Sequence, residues 1–319
     1  MKKYIEIIFV VLFAVSLSVL GFVFNPVNLD SNQKDTLLIL AIICGSSMLY
    51  CFVVGEITRN NSQMDKLWSI LPIAYAWVIA AKSNMNPRCA IFAVLVTLWG
   101  IRLTINFARK GAYSIKFWSG EEDYRWVILR QNKYLKNRFA WMSFDLLFIS
   151  IFQNALVLAI TLPSLAMMSS GEPLGYIDYI ALFLTSGFII LETTADEQQM
   201  FFHTTKYKML KEGKKLEELP EPFNKGFNTI GLWNRSRHPN YFSEQAIWVC
   251  LYLFVIAARA TTYYVFSWSM IGPLVLILLF MGSSSFQEGV STKKYPEYSQ
   301  YLSSVSKYIP LWKYNPKNK

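Results

Sequence analysis

Residues 89–108 read Cys89-Ala90-Ile91-Phe92-Ala93-Val94-Leu95-Val96-Thr97-Leu98-Trp99-Gly100-Ile101-Arg102-Leu103-Thr104-Ile105-Asn106-Phe107-Ala108. About twenty apolar residues in helical form cross the ~30 Å hydrocarbon layer of a bilayer. Arg102 is the one charged residue in this run. Seven further runs of similar character lie at about 4–24, 36–55, 66–82, 141–168, 177–196, 242–259 and 264–282. The run at 66–82 is short and contains Pro72, and that at 141–168 contains Asp145, Gln153 and Asn154. The fold expected is an all-α, polytopic membrane bundle of seven to eight transmembrane helices. No repeat and no low-complexity tract interrupts it.

Composition agrees. Of the 319 residues 53% are hydrophobic and only 16% charged, whereas soluble domains carry about a quarter charged residues. Mean hydropathy is only +0.28, so polar loops must dilute the spans. The net charge of +10 would suit a nucleic acid, but its distribution points elsewhere. With eight spans and a cytosolic N-terminus, segments 1–3, 56–66, 109–140, 197–240 and 283–319 hold 26 of the 31 Lys and Arg. Lysine and arginine accumulate on the cytosolic side of membranes, so both termini are expected there and no nucleic-acid partner is called for. Residues 4–24 are long enough to span and lack a small-residue cleavage site, so they read as a first helix.

Cys44, Cys51, Cys89 and Cys250 form no Cys-x-x-Cys pair and lie in or beside apolar runs, which suits small buried residues. Two histidines, His203 and His238, are too few for a histidine-rich metal site. The tail around Tyr295-Pro296-Glu297-Tyr298 and Tyr301 mixes aromatics with lysines and reads as an interfacial helix. Residues 200–215 form a basic, helix-like run in the loop after the sixth span.

Ionisable residues inside spans cost about 2.5–3.5 kcal/mol each on insertion scales and need a reason. Arg102, Asp145, Glu192, Asp196, Glu244 and Glu288 all fall in the cytosolic half or at the cytosolic end of their helices. Glu192 and Asp196, at i and i+4, share one face. Together they could line one polar cavity open to the cytosol. Gln153 and Asn154 suit contacts between helices.

The most specific local signal is Gly231-Leu232-Trp233-Asn234-Arg235-Ser236-Arg237-His238-Pro239-Asn240-Tyr241-Phe242-Ser243-Glu244, where a loop enters the seventh span. Pro239 suits a first helical turn. The N–H groups of that turn, with Arg235, Arg237 and His238 beside them, suit an anion, and arginine's planar fork suits phosphate. Asn240, Tyr241 and Glu244 offer hydrogen bonds to an amide or a ribose. The segment reads as a site for a phosphorylated, partly polar cofactor beside an apolar cavity. Simple anchoring by Arg235 and Arg237 would explain the charge but not the rest of the motif.

This segment resembles the signature of the membrane-embedded steroid 5α-reductase-like proteins, listed in their bacterial branch as DUF1295. The resemblance covers roughly residues 60–312. It includes Asp65 and Trp68, Leu98-Trp99-Gly100-Ile101-Arg102-Leu103, Glu121-Glu122-Asp123-Tyr124-Arg125, Glu192-Thr193-Thr194-Ala195-Asp196-Glu197-Gln198-Gln199, Glu288, and Tyr295-Pro296-Glu297-Tyr298 to Ile309-Pro310. It divides the chain into N-terminal transmembrane helices over 1–56 and a steroid-reductase-like membrane domain over 57–319. It implies NADPH-dependent reduction of a carbon–carbon double bond conjugated to a carbonyl in a lipid-soluble, steroid- or isoprenoid-like substrate. It implies a cofactor pocket lined by Arg102, Glu192, Asp196, Asn240 and Glu244, with Lys225 near the cofactor phosphates. Arg235, Arg237, His238, Tyr241 and Glu288 complete the expected pocket, Tyr124 and Tyr241 are the candidate proton donors, and no metal is expected. The resemblance also implies a bacterial inner membrane, with the site facing the cytosol. Animal-type steroid reductases carry a tyrosine at the place of Trp99, and a histidine and tyrosine near Ser284 and Glu288, so the cofactor half of the pattern is better kept than the substrate half. Arg-His-Pro-x-Tyr also occurs in isoprenylcysteine and phospholipid methyltransferases, which makes an S-adenosylmethionine-dependent methyltransferase one alternative. A non-catalytic scaffold or carrier is another.

Overall fold

A computed structural model describes residues 2–24, 27–260 and 265–310, with residues 2–10 by backbone alone. Of the described residues 74% are helical, with no strand among them. In order the helices are α1 (Lys2–Phe24), α2 (Ser31–Thr58), α3 (Gln63–Leu67), α4 (Ile70–Lys82), α5 (Pro87–Ala108), α6 (Tyr124–Arg130), α7 (Arg138–Phe144), α8 (Gln153–Ala159), α9 (Leu162–Met167), α10 (Tyr176–Lys211), α11 (Pro239–Ala257), α12 (Ile271–Lys294) and α13 (Tyr298–Ser304). A π-helical segment, Asp145–Phe152, joins α7 to α8.

Six stretches among the described residues are long and apolar enough to cross a bilayer: Ser31–Thr58, Pro87–Arg109, Arg138–Met167, Tyr176–Lys211, Pro239–Ala257 and Trp268–Lys294. The other two expected spans correspond to shorter apolar helices, Val11–Phe24 and Ile70–Lys82. Instead of one helix over 66–82, the chain breaks at Trp68 and Ser69, so α4 has only 13 residues, about 20 Å of helix. Lys66 explains the break. Its buried ammonium donates to the carbonyls of Phe117 and Ser119 at 2.9 and 2.7 Å, which fixes α3 to the 109–123 loop. The sixth span overruns its expected end. α10 continues into the basic 200–215 run as far as Lys211, one rod of 36 residues, about 54 Å long. Residues 261–264, where the eighth span was expected to begin, lie outside the described residues.

The helices begin where the sequence offers caps. The Asp30 carboxylate accepts from Gln33 N at 2.8 Å while Gln33 reaches back to Asp30 N, a reciprocal cap at the start of α2. Asn86 accepts from Arg88 N ahead of Pro87, Asp123 caps α6 and Asn137 caps α7.

Two helices organise the bundle. α5 and α10 run parallel, because Arg88 meets Asp178 near their N-terminal ends and Arg102 meets Glu192 and Asp196 further on. The first pair is fully buried and bidentate, at 2.7 and 2.9 Å, and the carbonyls of Glu172 and Pro173 accept the other Arg88 donors. α11 lies antiparallel against α10, joined by Phe188 on Phe242 and by the Trp233 indole donating to Ala195 O at 2.9 Å. α12 closes the bundle against α11 and α8. Gly272 permits this contact, since a Cβ there would sit 2.2 Å from Ala159 O and 2.4 Å from its carbonyl carbon.

The tail is not an interfacial helix. Tyr298 and Tyr301 of α13 are buried with Phe227 and Val305 in a small second core, and the Tyr301 hydroxyl donates to Trp233 O. A parallel bridge joins Ser306 to Ser236, so the tail packs on the loop that leads into α11.

Gly272→Ala is expected to destabilise the protein by about 1–3 kcal/mol, because the obstacle is backbone and overpacking is relieved poorly. Gly282→Ala, on the same helix with nothing within 4 Å of its added methyl, is the control. Thermal unfolding in detergent should separate the two, and equal melting temperatures would refute the close approach of α12 to α8.

Candidate active site

Arg102 lies six residues before the end of α5 and is largely buried, between α10 and α11. One terminal nitrogen of its guanidinium lies 2.7 Å from Asp196 Oδ2, and the other 2.8 Å from Glu192 Oε2 and 3.8 Å from Glu244 Oε2. Burying a cation is costly unless carboxylates match it. Three carboxylates against one guanidinium over-match it, so further donors are needed. Asn106, one turn after Arg102, donates to Asp196 Oδ2 at 2.9 Å, and Asn240 donates to Asp196 Oδ1 at 3.1 Å. The Trp99 indole donates to Glu244 Oε2 at 2.6 Å and Trp248 to Oε1 at 3.2 Å. The two indoles pack edge to face, with centroids 5.0 Å apart.

Some polar atoms in this cluster are left over. Arg102 Nε and Asn106 Oδ1 are buried without a hydrogen-bond partner, whereas the other Arg102 nitrogen and Glu192 Oε2 meet each other as an ion pair. A donor and an acceptor therefore both remain in one buried cluster, where leaving them unmet is expensive.

A second group lies at the mouth of α11. Arg237 donates through Nε to Glu288 Oε1 at 2.8 Å and through a terminal nitrogen to the carbonyls of Leu302 and Val305. His238 Nε2 lies 3.1 Å from the same Glu288 oxygen. Burial holds the His238 imidazole below its usual pKa against the pull of Glu288, so it contributes no positive charge at neutral pH. The N–H groups of Arg237 and His238 are bonded to the carbonyls of Ser306 and Lys307, at 2.9 and 3.1 Å. The helix entrance, expected to lie open to an anion, is thus partly filled by the chain's own tail. Arg235 is exposed and Lys225 half-buried, and neither joins the Arg102 cluster.

Tyr241 links the two groups. Its ring stacks on His238 at 5.4 Å and meets Phe280 edge to face at 4.5 Å. Its hydroxyl accepts from Gln287, which leaves its own O–H free to donate. Tyr124, at the start of α6, keeps 48% of its surface exposed. Its phenol end faces the protein, where burial first and nearby Tyr241 next raise its pKa.

A third cluster anchors α6. Arg125 grips Asp123 at 2.8 Å and reaches Asp65 at 3.2 Å, while the Trp126 indole donates to Asp65 at 2.6 Å. Both carboxyls are pushed up by burial. The close Arg125 contact overcomes this for Asp123, whose pKa is lowered. For Asp65 burial prevails and the pKa is raised.

Sequence reasoning thus named Arg102, Glu192, Asp196, Asn240 and Glu244, which meet in one cluster, and Arg237, His238, Tyr241 and Glu288, which meet in its neighbour. It missed Asn106, Trp248 and Gln287. Two of these had a signal in their spacing: Asn106 follows Arg102 by four residues and Trp248 follows Glu244 by four, one helical turn on the same face.

The fold and the site define a class: a helical membrane protein whose intramembrane charges converge at one end of three packed spans. Residues 51–305 match the family described as "Protein of unknown function (DUF1295)". The chain belongs to that family, the steroid 5-alpha-reductase-like family. "Uncharacterized protein C594.04c" from Schizosaccharomyces pombe is 33% identical over 290 residues, covering 82% of this chain and 78% of that protein. No solved structure gives a significant match. With this relative in fission yeast, the resemblance does not fix a bacterial membrane.

Arg102→Ala would strand Glu192 and Asp196 in the bundle, and breaking a buried pair in this way costs about 3–5 kcal/mol. Arg109→Ala, two turns along the same helix, removes an exposed partner of Glu197 and should leave the melting temperature almost unchanged. Comparable losses in the two variants would show that the Arg102 cluster is not a buried one.

Proposed function

We propose that this protein is a membrane reductase that uses NADPH to saturate a carbon–carbon double bond conjugated to a carbonyl in a lipid-soluble substrate. The observation that carries the reading is a donor and an acceptor left buried and unmet in the Arg102 cluster, Arg102 Nε and Asn106 Oδ1. A nicotinamide carboxamide carries an N–H₂ donor and a carbonyl acceptor on one planar group. Asn106 Oδ1 suits the donor, and Arg102 Nε, the guanidinium nitrogen outside the ion pairs, suits the acceptor. Arg235 and Lys225, nearer the surface, are the residues that would meet the cofactor phosphates, while Arg237 is engaged with Glu288 and the tail. When bound, NADPH supplies a hydride to the β-carbon of the enone.

The remaining work falls to the chain. Asn240 and Asn106 hold Asp196 in place, and the two tryptophans hold Glu244, so the Arg102 group is preorganised and pays little to reorient. Tyr241, oriented by Gln287 and the His238 ring, presents a phenol O–H to the carbonyl oxygen on which charge develops, or to the α-carbon. Apolar spans exclude water and let a lipid-soluble substrate approach from the bilayer. The site lies at the end of the bundle that carries the basic 109–140 and 197–240 segments, which the positive-inside rule assigns to the cytosol, where NADPH is made.

NADPH is expected to raise the melting temperature of the purified protein, and S-adenosylmethionine is not. The opposite result would replace the reductase reading with a methyltransferase one. Asn240→Ala should weaken NADPH binding about tenfold, the loss of roughly one hydrogen bond to a charged group, without the fold damage of Arg102→Ala. Tyr241→Phe should lower the rate of NADPH oxidation with an enone lipid roughly a hundredfold while leaving NADPH affinity unchanged. A full rate in that variant would exclude Tyr241 as the proton donor.

A further inference from the structure

A separate cavity lies on the α2 side of α6. It measures about 320 Å³ and is lined by Gly55, Glu56, Arg59, Asn61, Arg130, Lys136, Arg138 and Trp141. Four cations thus face one recess. Glu56 is shared between Arg138 at 2.6 Å and Arg59 at 3.9 Å, and Glu122 is taken by Arg130 at 2.6 Å. Asp145, buried beneath Gly55 and Asn61, is the third carboxyl beside the four cations, so positive charge remains in excess, and Lys136 has no ion pair or hydrogen bond among the described residues. Arg130 lies 4.7 Å from the Trp141 ring centroid, which holds its guanidinium flat against one wall. Asn61, 3% exposed, closes the floor of the recess: its Oδ1 accepts from Arg130 at 2.9 Å and from the Trp141 indole at 3.2 Å, and its amide faces the buried Asp145 carboxyl.

Position identifies the source of the anion. The recess sits where α2 ends at Thr58 and where the Arg138–Met167 span begins. Below it, Val53, Ile57 and Leu147 are exposed on the outer surface of these two spans, which is the surface that acyl chains cover. Phe139, 73% exposed, and Tyr134, 74% exposed, flank it at the level where aromatic side chains meet headgroups. A free anion would need only the cations. Cations at the ends of two spans, above an apolar surface and beside exposed aromatics, match a phosphate joined to a lipid.

We propose that this recess binds the phosphate of an anionic phospholipid headgroup, with the acyl chains lying along α2 and the Arg138–Met167 span. The contact would bear on the candidate active site, because Arg130 and Glu122 belong to the same segment as the Asp123–Arg125 anchor that sets Tyr124 beside Tyr241.

Native mass spectrometry of the purified full-length protein, with phosphatidylglycerol and phosphatidylcholine added in turn, tests this. Phosphatidylglycerol should bind at least about tenfold more tightly, since each basic residue near an anionic lipid is worth roughly fivefold. The double variant Arg59→Gln/Lys136→Gln should lose that preference while melting like the wild type in detergent, because both side chains are exposed and hold no core contact. Arg109→Gln, which removes an exposed cation elsewhere on the same face, should keep it. Equal binding of the two lipids by the wild type, or a preference that survives the double variant, would overturn the proposal. So would an equal loss in Arg109→Gln, which would mark diffuse surface charge. Displacement of phosphatidylglycerol by 2′,5′-ADP would assign the recess to the cofactor's phosphates instead, and would leave the reductase reading standing.

Discussion

A guanidinium inside a bilayer must be met by carboxylates, and the placement of Arg102 propagates through the whole bundle. To meet Glu192 and Asp196 it requires α5 and α10 to lie side by side, parallel and in one register. Arg88 and Asp178 impose the same register about 21 Å away, fourteen residues along both helices. Two buried ion pairs on two rods fix their axial offset and their rotation together, which apolar contacts between smooth helices do poorly. Parallel neighbours need an antiparallel span between them in the chain, and the Arg138–Met167 stretch supplies it. α11 is then drawn in from the other side, because Glu244 and Asn240 complete the same cluster.

Much of this was legible in the sequence, because hydrocarbon allows so few polar residues that each one left is informative. Arg102 in an apolar run, and the spacing of Glu192 and Asp196, pointed to a shared cavity without any structure. The partners that complete the cluster are neutral or apolar, so they carried no such mark. Trp99 and Trp248 look like core residues until their indole N–H groups are seen against Glu244. The span count was harder to read for a related reason. Hydropathy does not register the Lys66 contacts that break 66–82, nor does it show that the basic run after Asp196 continues the helix instead of starting a loop. The tail misled through its composition: tyrosine among lysines suits a headgroup layer, but the aromatic rings of Tyr298 and Tyr301 are spent on Phe227 and Val305.

The two charged groups differ in character, and the difference follows from what surrounds them. Around Arg102 the partners all come from spans, the cluster is buried, and a donor and an acceptor remain unmet. Around Arg237 the partners include backbone carbonyls of the tail, and Glu288, Arg237 and His238 largely satisfy one another. The first arrangement suits a ligand that supplies missing hydrogen bonds, while the second suits a structural clasp. Arginine and histidine in the motif therefore do different work from the asparagine and glutamate that follow them, although all belong to one short segment.

That clasp has a bearing on how the protein is made. Arg237 and His238 precede α11, while the carbonyls of Val305, Ser306 and Lys307 that secure them follow α12. Two complete spans are synthesised between the halves of one contact. The entrance to the candidate active site therefore cannot close until α12 has entered the membrane and residues 305–307 have left the ribosome. A chain stalled after α11 would carry every named residue of the Arg102 cluster and still lack the carbonyls that secure its entrance.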